Sequence, residues 1–226
     1  MDTDRLLYED QCLVCVNKRP GELVEWNTGG ERPLIEDVRS HFAEAGEHDF
    51  VGIVHRLDQP TSGAIVFART ASCLRVLNTY LRTGRVGKTY WAVVDSPPPE
   101  PADTLEHYIY HKRELNKSYA SEGPRKGAKK ARLDYRLLAH SDRYHLLEIK
   151  LHTGRHHQIR AQLHRIGCHI KGDLKYGFPR SNPEGGIHLH ARALTFPHPE
   201  NDRIVSVTAP VPEDSLWQFF ERTVEN

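Results

Sequence analysis

Strand-like segments set the class of this chain before any single residue does. Apolar residues alternate, or run together briefly, near 12–17, 64–69, 89–94, 104–110, 131–139, 144–151, 188–196 and 203–208. Helical spacing appears only near 34–45, 71–83, 156–167 and 214–223. The strands outnumber the helices and do not alternate with them regularly, which argues against a doubly wound parallel sheet. The expectation is an α+β fold, a long curved mixed or antiparallel sheet flanked by helices. At 226 residues the chain can bury a substantial core without disulfide or metal staples, and we expect one domain over residues 1–226.

Within that frame one string carries chemistry. His55-Arg56-Leu57-Asp58-Gln59-Pro60-Thr61-Ser62-Gly63 lies between the apolar runs 50–54 and 64–68. Pro60, Ser62 and Gly63 are turn formers, so Asp58 should project from a sharp, rigid connection beside a cation. Such a place suits a positioned nucleophile, although an Asp near Pro and Gly also caps turns with its own side chain.

Charge is unevenly spread. Residues 1–50 hold five Lys/Arg and twelve Asp/Glu, a net of −7, so a total of +1 leaves +8 for residues 51–226. Between His111 and Arg132 eight basic residues face only Glu114 and Glu122, and residues 151–172 carry four Lys/Arg, five His and no carboxylate. A basic face on a nearly neutral protein suits a polyanion, because Lys and Arg gain affinity by releasing phosphate counterions. Nucleic acid is therefore the first expected partner, with a solvated charged loop as the plainer reading of 111–132. Residues 111–130, rich in Lys, Gly and Ser, read as an exposed loop, and Pro97-Pro98-Pro99-Glu100-Pro101 reads as a stiff surface connection.

The four cysteines, Cys12, Cys15, Cys73 and Cys168, are scattered and no secretory leader opens the chain, as in a cytoplasmic, reducing setting. Cys12-x-x-Cys15 lies in a segment that reads as a buried strand and lacks a second pair, so no structural zinc is expected there. The histidines, His188-x-His190 among them, lack a companion carboxylate pattern for a metal site. No apolar run approaches the ~20 residues of a membrane span, and no membrane partner is expected.

Three strings in order give the chain a resemblance. His55 to Gly63, Lys88-Thr89-Tyr90 and Thr153-Gly154-Arg155-His156-His157-Gln158-Ile159-Arg160 resemble the signatures of the pseudouridine synthase family, in its RluA-type branch. Asn17-Lys18, Gly172-Asp173, Tyr176-Gly177 and Leu189-His190-Ala191 extend the likeness from about residue 10 to residue 210. Arg19-Pro20-Gly21-Glu22-Leu23 and Ile170 depart from the family's usual runs, outside the implied catalytic set.

The resemblance implies an isomerase that converts uridine to pseudouridine in ribosomal or transfer RNA without cofactor or metal. It makes Asp58 the catalytic carboxylate, with attack on the sugar, attack on the base and stabilisation of a departing base all open. It makes Arg160 the ion partner of Asp58 and Tyr90 the aromatic against the target base. Arg56 is the residue that enters the space left by the extruded nucleotide, and Leu189 lines the pocket. His55, Arg155, His157 and the pair Lys129 and Lys130 are expected to meet RNA. Helical spacing from His156 independently puts Arg160 in a stripe with His156 and His164, beside the apolar stripe Ile159, Leu163 and Ile166. The expected protein is a monomeric single catalytic domain without a separate N-terminal RNA-binding domain. The alternative is a non-catalytic RNA-binding or RNA-remodelling protein on the same fold.

Overall fold

The computed structural model describes residues 3–46 and 50–225. In chain order they form β1 (Leu6–Glu9), β2 (Leu13–Lys18), α1 (Leu34–Glu44), β3 (Gly52–Ile53), β4 (Ser62–Ala68), α2 (Ala71–Arg82) and β5 (Gly87–Val94). There follow β6 (Ala102–Lys112), β7 (Lys117–Ser121), β8 (Lys129–His140), β9 (His145–Leu151), α3 (Gln158–Arg165), β10 (Leu189–Pro197), β11 (Ile204–Thr208) and α4 (Ser215–Glu225). The expected α+β class is observed, and the eight strands and four helices read from periodicity all form. Two compact units divide the chain, Met1–Gly87 with Ala191–Pro210 and Lys88–His190 with Val211–Asn226.

In the first unit the strand order is β1-β2-β4-β10, with β3 beside β4 and β11 beside β10. β1 pairs antiparallel with β2, β2 and β3 with β4, and β10 with β11. β4 is buried along its whole length, so its sequence Ser-Gly-Ala-Ile-Val-Phe-Ala runs continuously small and apolar instead of alternating. α2 starts where the Thr70 side chain accepts the Cys73 N–H, and it buries Cys73, Leu77 and Tyr80. These side chains join Leu13, Cys15, Val66, Leu194, Phe196 and Val207 in one apolar cluster. Cys12 and Cys73, 61 residues apart, form a disulfide within it. Their scattered positions give no sign of this pairing, and the disulfide departs from the reducing setting expected from the cysteines.

The second unit is built on the order β5-β9-β8-β6-β7, antiparallel at every step. Two helices pack within it. Trp217 and Phe220 of α4 meet Trp91, Val93 and Leu146, while Ala161 of α3 meets Ile109, Ala131 and Tyr176. Two expectations are corrected here. Residues 111–130 are not one exposed loop, because β6 continues to Lys112 and Lys117–Ser121 form the strand β7 against it. α3 starts at Gln158, not at His156, because His157 adopts a left-handed backbone with φ 51°. Among the described residues no helix is long and apolar enough to cross a membrane.

Candidate active site

The connection between β3 and β4 holds Asp58 in a closed turn, the Thr61 N–H donating to the Asp58 carbonyl at 2.9 Å. What fixes this turn comes from β2. Its last residue, Lys18, is fully buried, and its Nζ donates to the carbonyls of Arg19 at 3.0 Å, Gln59 at 2.9 Å and Thr61 at 2.7 Å. Three acceptors match the three N–H bonds of an ammonium, whereas a neutral amine has two. Burial pushes the Lys18 pKa down to about 7, against the nearby carboxylates of Glu22 and Asp58, which favour its charge. Glu22 is itself held by Arg5 at 2.6 Å. The Gly21 N–H donates to Gln59 O at 2.9 Å, so a second segment ties the same turn.

Gly63, paired with Lys18 across β2 and β4, closes the other side. Its φ is +113°, and a Cβ there would lie 2.3 Å from the Ala191 carbonyl oxygen and 2.5 Å from its nitrogen. Only glycine fits both the backbone conformation and that approach. Of the two residues expected on RNA beside Asp58, Arg56 is exposed and forms an ion pair with Glu25. The His55 ring accepts the Val66 N–H at Nε2, 3.3 Å away, which ties it to β4.

In the second unit Tyr90 stands buried on β5, in register with Ile149 of β9. Arg160 is more deeply placed than a residue at the core edge, with 4% of its surface exposed. Its guanidinium grips Asp173 with both prongs, Nε to Oδ2 at 2.7 Å and Nη2 to Oδ1 at 2.8 Å, and Asp173 is 1% exposed. This is the fork geometry in which a buried ion pair satisfies its own hydrogen bonds. The Tyr176 ring lies 4.9 Å from the Arg160 Cζ. Sequence reasoning quoted Asp173 and Tyr176 only as motif members and assigned them no role.

His157 is buried, with its Nδ1 3.1 Å from the Tyr176 hydroxyl. Burial first, then the Arg160 cation, push its pKa down to about 2. The ring is therefore neutral and fixes the start of α3 instead of offering positive charge to phosphate. Arg155 is exposed and donates from Nε to the Lys130 carbonyl at 3.0 Å, which brings it to Lys129 and Lys130 at the exposed start of β8. Leu189 is buried at the first position of β10. His188 meets Asp214 at 3.1 Å and stacks on Trp217. Cys12, Cys73 and Glu200 come within metal-ligand reach of one another, but the two sulfurs are bonded together and are not thiolate ligands.

The RNA pseudouridylate synthase family model matches residues 12–165. An uncharacterized RNA pseudouridine synthase of Synechocystis is 32% identical over 213 residues, covering 92% of this chain and 65% of its own length. The ribosomal large subunit pseudouridine synthase D of Xylella fastidiosa is 32% identical over 223 residues, covering 92% of this chain and 66% of its own length. The chain thus spans about two thirds of these curated relatives. In fold it is similar to the human RNA pseudouridylate synthase domain containing 4, with a TM-score of 0.81 at 23% identity, covering 99% of this chain and 94% of the human one.

Proposed function

The chain belongs to the RNA pseudouridylate synthase family, and from that premise we propose that it isomerises uridine to pseudouridine in ribosomal or transfer RNA. The reaction breaks the N1–C1′ bond of a uridine, turns the base and joins C5 to C1′; the proton lost from C5 is balanced by one gained at N1, with no net change in atoms. In this reading Asp58 is the nucleophile and Arg160 its ion partner. Tyr90 packs against the base and Leu189 lines the pocket. Arg56 takes the place of the extruded nucleotide, and its exposure beside the Asp58 turn suits that task. His55 and His157 hold the motif backbones near RNA, while Lys129, Lys130 and Arg155 meet phosphates. Ribosomal RNA is favoured as substrate by the similarity to the ribosomal large subunit pseudouridine synthase D of Xylella fastidiosa. We place the protein in the cytoplasm, as a monomer.

The observation that carries the proposal is the double tie on the Asp58 turn. A nucleophile must be held in one geometry, and here a buried ammonium and an obligate glycine fix the backbone that follows a half-buried carboxylate. A turn that only capped itself would not require either.

The test is a comparison of total RNA from cells with and without the protein, mapping pseudouridine by carbodiimide labelling and primer extension across ribosomal and transfer RNA. Loss of a signal at one position, restored by the wild-type chain, supports the proposal and names the substrate. An unchanged map in both RNA pools contradicts it and favours the RNA-binding alternative.

A further inference from the structure

The β6–β7–β8 region has two faces of opposite character. Leu105, His107 and Ile109 on β6 and Ala131 and Leu133 on β8 are buried, and α3 lies on that side, its Gln162 bonding to Leu105 O and His107 at 3.0 Å. Alternate residues point the other way. There the register places Lys130 beside Tyr108, Tyr110 beside Tyr119 and Lys112 beside Lys117. Aromatic rings and cations therefore interleave on one sheet face.

The rings already hold cations. Arg125 Cζ lies 4.5 Å from the Tyr110 centroid, while Lys117 Nζ lies 5.5 Å from that of Tyr119 and 5.0 Å from that of the buried Tyr176. Tyr119 is 38% exposed, and Tyr108 and Tyr110 are half-buried. The nearby carboxylates are themselves paired with cations. Glu122 pairs with His107 and Arg165 at 3.4 and 3.5 Å, and Glu106 faces Arg132 at 3.8 Å. The charge of this face is complementary to a polyanion.

We propose that this face is an RNA-contact surface apart from the target uridine, where unpaired bases stack on Tyr108, Tyr110 and Tyr119 and phosphates meet Lys112 and Lys130. The proposal rests on the family reading for RNA as the partner. Spacing selects the form of RNA. Tyr108 and Tyr110 are two residues apart on one strand, about 7 Å at 3.3–3.4 Å per residue, roughly twice the 3.4 Å repeat of stacked bases along one nucleic-acid strand. Splayed, single-stranded nucleotides suit that interval, and a continuous duplex stack does not.

The experiment measures binding of a fluorescein-labelled dodecauridylate and of a blunt RNA duplex to the full chain. Tyr108→Leu and Tyr110→Leu are each expected to raise Kd for the single strand about tenfold, within the range of base–aromatic stacking, with little effect on the duplex. Tyr→Phe variants, which keep the ring, should bind like wild type. Lys112→Ala and Lys130→Ala should each flatten the slope of log Kd against log salt by about 0.7. Leu variants that melt like wild type and bind like wild type overturn the proposal, as do Phe variants that weaken binding as much as Leu. If the Leu variants melt early, the lysine slopes decide, and unchanged slopes overturn it. Product formation by the wild-type chain on total RNA is scored separately, so the surface and the catalytic reading fail independently.

Discussion

Lys18 donates from Nζ to the Thr61 carbonyl at 2.7 Å, across the strand pair β2 and β4, with none of its own surface exposed. The same nitrogen holds Gln59, so the segment just after Asp58 hangs on one buried charge. As pH rises through about 7, the ammonium loses a proton, one carbonyl loses its donor and Asp58 loses a nearby cation. Catalytic rate is therefore expected to fall with rising pH over that range. The fall is not unfolding. Between about 7 and its ordinary 10.5, the folded chain binds fewer protons at Lys18 than the unfolded chain, so this group adds stability as pH rises. Lys18→Met should reduce kcat more than about tenfold, as expected when the reacting group is misplaced, while leaving RNA affinity near wild type. Single-turnover rates from pH 6 to 9 check this, and a Met variant that keeps the same alkaline decline contradicts it.

Asp173 secures Arg160 by two charge-assisted bonds in a buried site. Asp173→Ala leaves a buried guanidinium without its partner, at an expected cost of about 3–5 kcal/mol. Asp173→Asn keeps the shape and one acceptor and should cost less. Urea denaturation of the two variants tests the order, and equal midpoints contradict it.

Asp214 acts at the start of α4. Its Oδ1 accepts the N–H groups of Leu216 at 2.9 Å and Trp217 at 3.1 Å and also meets His188. The His188 hydrogen bond is the largest cause of a carboxyl pKa held well below its usual value. A depressed carboxylate adds stability that is present above its unfolded pKa of about 3.8 and lost as pH falls toward the folded pKa. Asp214→Ala should therefore lower stability by about 1–2 kcal/mol at neutral pH, the usual worth of a helix cap, and by less at pH 3. Melting curves at the two pH values measure the difference.

The strands with alternating or continuous apolar residues were legible because a half-buried or fully buried strand writes its burial into its residue types. β7 was not. Lys-Ser-Tyr-Ala-Ser sits at the end of the strand order, with Ser118 buried against the Tyr176 hydroxyl, and its polar residues carry no periodic signal. The left-handed His157 was equally hidden, since no glycine stands there to mark a positive φ. Asp58, Tyr90 and Arg160 are proposed through motif resemblance alone. The task of Lys18 was not legible, because a lysine is expected at the surface unless paired, and its three acceptors come from segments up to 43 residues away. Cys12 and Cys73 likewise meet only because α2 packs beside the strands.

The central claim is that Asp58 does chemistry and does not merely shape a turn. The direct measurement is pseudouridine formed by purified Asp58→Asn in total RNA from cells lacking the protein, beside wild type, with RNA affinity measured in parallel. Asn keeps the size and turn geometry of Asp but removes the nucleophilic carboxylate. The account predicts no detectable product, with affinity and melting temperature near wild type. Product formed by the Asn variant at a rate close to wild type would contradict it.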